Sequence, residues 1–332
     1  MKPLAELRSA LEAHLAEQTG RPARIKSLEP LGGGACQDNY RVDLEGEGDE
    51  APRTLALRSD ARKSLPGSIH RKDELAVIEA AVKAGVKTPA ARYLAEGLVR
   101  PGAYAYLLDW AEGTAIARRV LRDEGLAEAR KKLTREVAQE LARIHSIPFG
   151  PNGPLPPERP DLLAFTKKMV DTLHEPRPAL ELALRWLDQN PPRGTEVVLV
   201  HGDYRTGNFM VTPAGLSAVL DWEFAHWGAP EEDLAWLQMR TWRFNSNKLP
   251  AGGFGRREEL YEAYEAASGR TIDRRDVHYW EVLGNVRWAA GCVHQGERYL
   301  SGEESDLELI AIPRRAVEME YEALRLIEKG PS

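Results

Sequence analysis

Cysteine is almost missing from this chain: Cys36 and Cys292 are the only two in 332 residues, far apart and without a CxxC pair. A disulfide framework and a zinc knuckle are thereby excluded, and a reducing, cytoplasmic setting is expected. Long hydrophobic runs are missing too. No apolar stretch approaches the roughly 20 residues a membrane helix needs, so no membrane partner is expected. A basic surplus is also lacking, since 45 Lys and Arg stand against 51 Asp and Glu for a net charge of −6. That balance argues against a nucleic-acid binder, which would carry a basic face. Among the eight histidines, His226, His278 and His294 show no ligand spacing, so a zinc site is not expected.

What remains is the composition of a packed globular protein, 42% hydrophobic and 29% charged, long enough for one large or two modest domains. The opening MKPLAELRSALEAHLAEQTG places Leu4, Leu7, Leu11 and Leu15 on one helical face and stops at Gly20. It reads as an amphipathic helix, not a signal peptide. Strand-like stretches follow at Ala23 to Leu31, Asn39 to Leu44 and Thr54 to Ser59, consistent with an antiparallel meander. A helix is expected over Ile69 to Ala84 with Leu75, Ile78 and Val82 as its stripe, then strands at Ala91 to Ala95 and Ala103 to Trp110. Beyond Glu112 the pattern becomes helical, as over Leu126 to His145, where Leu133, Val137, Leu141 and Ile144 keep helical spacing. One β-rich island interrupts it, VLVHGDYRTGNFMVT and LSAVLDW. A small β-rich lobe joined to a larger helical one implies a cleft.

The island carries the chemistry. Asp203, Asn208 and Asp221 stand at strand ends or in the loop between strands, where the scaffold is rigid and side chains are accessible. A carboxylate, a neutral amide oxygen and a second carboxylate suit Mg²⁺, which takes oxygen ligands and shares them with phosphates. The Asp-x4-Asn spacing is that of a kinase catalytic loop, in which the Asp accepts the hydroxyl proton and the Asn holds metal. Each residue alone could equally be an Asx-turn or strand-end residue.

The HGDYRTGN loop followed by LDW resembles the aminoglycoside phosphotransferase family, the small-molecule branch of the protein-kinase-like fold, whose loop reads HGDxxxxN where protein kinases read HRDxxxxN. The likeness runs through nearly the whole chain. It implies an α+β, bilobal protein-kinase-like fold, with a small β-rich nucleotide-binding lobe over residues 1–110 and a larger, mainly helical catalytic lobe over 111–332. It also implies ATP, or GTP in its place, with Mg²⁺ on Asn208 and Asp221, Asp203 as catalytic base, and a small-molecule hydroxyl as acceptor. LGGGACQDNY resembles the phosphate-covering loop, with Gly32, Gly33 and Gly34 letting backbone approach an anion. TLALRSD resembles the strand that normally carries a phosphate-binding lysine; here the position holds Arg58, a charged but forked substitute. Glu74 is the expected ion-pair partner of Arg58. YAYLLDWAEG resembles the hinge, where adenine would bond to backbone groups of Asp109, Trp110 and Ala111. GAPEEDLAW resembles the family's GDPxxDLA element, with Ala229 in place of Asp and Asp233 retained.

The closest resemblance in motif is to the acyl-CoA dehydrogenase-linked branch, which implies hydroxy-acid or hydroxyacyl acceptors; choline, homoserine and sugars stay open as acceptors. A nucleotide-binding pseudokinase that regulates a partner without turnover is the alternative, kept alive by Arg58 and Ala229. A protein kinase is disfavoured by HGD and by the lack of an APE-like segment after Asp221. Monomer and homodimer are both open.

Overall fold

Helix α1 (Leu4–Thr19) roofs the first sheet through Leu7, Leu11 and Leu15, all buried, and ends where Gly20 adopts φ 70° and its N–H bonds to the Ala16 carbonyl. Leu4, expected on the same face, is 48% exposed, because it begins the helix beyond the edge of the sheet's core. The computed structural model describes residues 2–31, 39–46, 53–60, 65–302 and 307–331. Strands β1 (Ile25–Pro30), β2 (Asn39–Leu44) and β3 (Arg53–Ser59) form the meander; after helix α2 (Arg71–Lys83), β4 (Ala91–Glu96) and β5 (Tyr104–Asp109) complete an antiparallel sheet of order β1-β2-β3-β5-β4.

Two-residue alternation divides that sheet. Tyr40, Val42, Leu55, Leu57, Ala105 and Leu107 pack with α1, whereas Ala56, Tyr106 and Leu108 join the core that continues into the second lobe. Arg58 shares the parity of Ala56 and therefore faces the second lobe.

Helix α2 lies where the spacing places it, but with a different buried face. Arg71, Glu74, Val77, Ile78 and Ala81 are buried, while Val82 is 42% exposed. The helix turns inward on charge because Arg71 and Glu74 find partners inside, and an apolar stripe drawn from hydropathy cannot anticipate that compensation.

The second lobe runs through α3 (Ala117–Arg122), α4 (Ala127–Ile144), α5 (Leu162–Asp171) and α6 (Pro178–Gln189) to the β-island. That island comprises β6 (Val198–Val200), β7 (Phe209–Thr212), β8 (Gly215–Val219) and β9 (His226–Gly228). Helices α7 (Pro230–Gln238), α8 (Arg257–Ser268), α9 (Arg274–Leu300), α10 (Glu308–Ala311) and α11 (Ala316–Lys329) follow. Leu133, Val137, Leu141 and Ile144 of α4 are fully buried, as their spacing predicts. The sequence reading omits β9, whose His-Trp-Gly run has little strand character and is extended because it pairs antiparallel with β6. The lobes are stitched behind the cleft: the Lys87 amide donates to Glu140 at 2.8 Å, the Val219 amide to the Lys87 carbonyl at 2.7 Å, and the Ile69 amide to the Glu223 carbonyl at 2.7 Å.

One buried carboxyl in α7 gives a pH test of this lobe. Glu231 is 8% exposed, and burial, with Asp276 and Glu196 adding repulsion, pushes it from 4.5 up to about 7. Asp276 itself is spent on the amides of Arg193 and Gly194. A raised carboxyl favours the fold while it stays protonated. Its advantage is complete below the unfolded value of 4.5 and is lost as pH rises through 7. Glu231→Gln is therefore expected to raise the unfolding free energy at pH 8 by about 2 kcal/mol and to change it little at pH 4, measured by urea unfolding. Equal shifts at both pH values would contradict the assignment.

Candidate active site

Strand β6 delivers the chain to the site as a buried Val198–Val200 run, and the next residue, His201, is fully buried as well. Gly202 then turns at φ 79°, where an added Cβ would sit 2.2 Å from the Phe224 carbonyl oxygen, so only glycine fits. His201 accepts the Asp203 amide at Nδ1 (3.3 Å), which leaves Nε2–H to donate to the Leu220 carbonyl at 3.1 Å. Burial holds its pKa below the usual histidine value despite Asp233 and Asp203 nearby, so it is a neutral brace. Tyr204 donates to the Val137 carbonyl at 2.7 Å and Thr206 to the Gly252 carbonyl at 2.6 Å.

The whole loop hangs on Asp233 in α7. This fully buried carboxylate accepts the amides of His201 (2.7 Å) and Gly202 (3.0 Å), and its Oδ2 lies 3.3 Å from His145 Nε2. Burial works to raise its pKa, but His145 and the His201 amide hold it below the ordinary value. Ala229, where the resemblance puts a second carboxylate, instead has its own N–H capped by Glu232 Oε1 at 2.7 Å.

Asp203, 7% exposed, is held from three directions. Arg205 Nε and Trp236 Nε1 each donate to its Oδ1 at 2.8 Å, and Asn208 Nδ2 donates to Oδ2 at 2.7 Å and to its backbone carbonyl at 2.9 Å. Asn208 thus turns its amide oxygen away, with no protein partner for it among the described residues. The Leu220 amide donates to the Asn208 carbonyl at 2.8 Å, which brings Asp221 alongside. Asp221 sits at φ 68° with its side chain 27% exposed, and its Oδ1 accepts Arg58 Nη2 at 2.7 Å. Although burial works to raise its pKa, Arg58 holds Asp221 below the ordinary carboxylate value.

The fold also brings Arg58 to Glu74, at 3.4 Å. Glu74 carries more than the expected pair, since Arg71 donates to it and the Tyr106 hydroxyl donates at 2.5 Å, while Arg71 Nη2 reaches Glu223 Oε2 at 3.1 Å. Arg71, Tyr106, Glu223 and Trp236 are the site residues that sequence reasoning missed. Arg71, one helical turn before Glu74, and Glu223, two residues after Asp221, left a positional trace; Tyr106 and Trp236 left none.

At the hinge a cavity of about 380 Å³ is lined by Arg41, Arg53, Thr54, Asp109, Trp110 and Glu112. The Arg41 guanidinium lies 4.9 Å over the Trp110 ring. The Asp109 amide is already spent on the Ala90 carbonyl at 3.0 Å, and its carboxylate on Arg53 (2.6 Å) and Arg92 (3.1 Å). That N–H cannot serve a base without losing its partner. Gly32, Gly33 and Gly34 lie outside the described residues.

Residues 27–275 match the family model described as the phosphotransferase enzyme family. The chain belongs to that family. Among curated relatives of this phosphotransferase, acyl-CoA dehydrogenase family member 10 of Mus musculus is 31% identical over 56% of the chain and 18% of its own length. Acyl-CoA dehydrogenase family member 11 of Gallus gallus is 26% identical over 86% of the chain and 38% of its own length. The chain therefore spans well under half of either relative. Among solved structures, a Ralstonia eutropha protein assigned as an aminoglycoside phosphotransferase superposes with a TM-score of 0.73 at 22% identity, covering 98% of this chain and 99% of that one. A choline/ethanolamine kinase family protein from Mesorhizobium loti gives 0.63 at 18% identity, covering 98% and 94%. These likenesses show the bilobal, protein-kinase-like fold. No helix among the described residues of the phosphotransferase is long and apolar enough to cross a membrane.

Proposed function

We propose that the protein transfers the γ-phosphoryl group of ATP to a hydroxyl of a small molecule, with Asp203 as the catalytic base. The observation that carries this reading is the Asp203 carboxylate, fixed by Trp236, Arg205 and Asn208 and set beside the Asn208–Asp221 pair. Oδ1 already takes two donors and Oδ2 only one, so Oδ2 has the lone pair left for an acceptor hydroxyl. Phosphoryl transfer asks for positioning and charge neutralisation more than covalent chemistry, and a pinned carboxylate supplies the positioning.

Asn208 and Asp221 fit Mg²⁺ by the chemistry of their donors: an amide oxygen without a protein partner and an ionised carboxylate with one oxygen not bonded to Arg58. Bound there, Mg²⁺ would neutralise charge on the nucleotide phosphates. Arg58 would steady a phosphate, its guanidinium held toward the cleft by its contacts to Glu74 and Asp221. The base would lie in the hinge cavity against Trp110 and Ala111, and Gly32, Gly33 and Gly34 would cover the phosphates. In this reading residues 1–110 bind nucleotide, with ATP ahead of GTP, and 111–332 bind the acceptor. Some relatives bear acyl-CoA dehydrogenase names and a structural neighbour a choline/ethanolamine kinase name, so hydroxy acids, hydroxyacyl compounds and amino alcohols are the acceptors to try first.

The test is ADP release from MgATP across a panel of hydroxyl metabolites. One compound is expected to stimulate release well above the rate with water alone, and to fail when the divalent ion is chelated. Nucleotide binding with no acceptor-dependent turnover anywhere in the panel would favour a regulatory pseudokinase instead.

A further inference from the structure

The surroundings of Asp203 hold two guanidiniums and a cluster of tryptophans. Arg205, besides its bond to Asp203, stacks with Cζ 4.4 Å over the Trp242 ring. Arg287 of α9 stacks 4.6 Å over Trp236, the same indole whose N–H holds Asp203. The rings of Trp236 and Trp242 are 5.6 Å apart, and those of Trp242 and Trp288 5.2 Å, so both cations stack on members of one tryptophan cluster.

Arg287 is the informative member. Among the described residues it forms no ion pair, and its one hydrogen bond is a long contact of 3.5 Å to the Gly202 carbonyl. Asp203, Asp233 and Glu232 all lie within its electrostatic reach. Each is committed elsewhere: Asp203 to Arg205, Trp236 and Asn208, Asp233 to the loop amides, and Glu232 to His226 (3.0 Å) and the Ala229 amide. A guanidinium has five N–H donors in a planar fork that matches a carboxylate or phosphate. The Arg287 side chain is half-buried, beside the loop that carries Asp203. Burial of a cation without an ion-pair partner is costly, and carboxylates at a distance together with a cation–π contact recover only part of that cost.

We infer that Arg287, assisted by Arg205, is an anion-recognition residue for the phosphate acceptor: the acceptor is an alcohol that also carries a carboxylate or phosphate group. The inference rests on the reading of Asp203 as the base, and it names the substrate class. Trp236 ties the two functions together, because its N–H fixes the carboxylate that meets the hydroxyl while its face supports the guanidinium that meets the anion. Polycations and amino alcohols would meet the Arg287 guanidinium here and be disfavoured.

Binding, measured by calorimetry in the presence of MgADP, separates this inference from the phosphotransfer reading. The probes are lactate, β-hydroxybutyrate, γ-hydroxybutyrate and glycerol phosphate, set against glycerol, ethanolamine and choline. At least one anionic alcohol is expected to bind about tenfold tighter than every neutral or cationic probe, and the carboxylate and phosphate arms identify which anion. Arg287→Gln is expected to weaken that anion about 10- to 100-fold, and Arg287→Lys, which keeps the charge without the fork, to recover part of the loss. Amines or glycerol binding as tightly as the anions, no anion binding, or an Arg287→Gln effect smaller than about threefold would each overturn the inference. Should the glutamine variant not fold, the wild-type panel and the lysine variant still decide it. Anion binding without turnover would count against phosphotransfer alone, whereas turnover confined to amines would spare phosphotransfer and overturn the anion site.

Discussion

Asp203→Asn is expected to turn over its acceptor about three orders of magnitude more slowly than the unaltered protein while MgATP binding survives. An amide cannot take the hydroxyl proton, and geometry sharpens the expectation. The oxygen bonded to Trp236 and Arg205 must stay an acceptor, so the new NH2 group falls where Oδ2 was, facing Asn208 Nδ2. Two donors then oppose each other at the point where the acceptor hydroxyl would have been received. The measurements are acceptor-dependent ADP release and nucleotide calorimetry on the same preparation. Retention of full turnover on a true acceptor would remove Asp203 from the role of base.

The second large effect is on stability. Asp233→Ala is expected to destabilise the protein by about 3–5 kcal/mol, because it strands the buried amides of His201 and Gly202 and removes the Nε2 partner of His145. Urea unfolding at neutral pH measures it. Since Asp233 titrates below its ordinary value of 3.8 in the fold, its contribution is complete above that value and is lost as pH falls through the lower folded one. The gap between the two proteins should therefore narrow in acid. A variant that unfolds like the unaltered protein would show that the loop is held by something other than this carboxylate.

Much of the fold could be read from residue spacing, for local reasons. The α4 stripe of Leu133, Val137, Leu141 and Ile144 and the α1 stop at Gly20 each follow from nearest-neighbour geometry that a linear pattern records. The α2 register could not be read, because Arg71 and Glu74 are buried only by virtue of Tyr106, Arg58 and Glu223, which come from β5, β3 and the other lobe. Strand β9 escaped because it is extended by pairing with β6 rather than by propensity.

The sequence by itself determined which atoms could do chemistry: the order of elements, the HGDYRTGN loop, and the oxygen-rich trio Asp203, Asn208 and Asp221 at the ends of strands. Tertiary structure alone decided how those atoms are presented. It aimed Arg58 at both Glu74 and Asp221, withdrew the Asp109 amide from the hinge, hung the loop on Asp233, and set Trp236 between Asp203 and Arg287. The reason is distance along the chain. A motif constrains residues a few positions apart, whereas Arg58 meets Asp221 across 163 positions, and Trp236 meets Asp203 across 33, only after the core has folded.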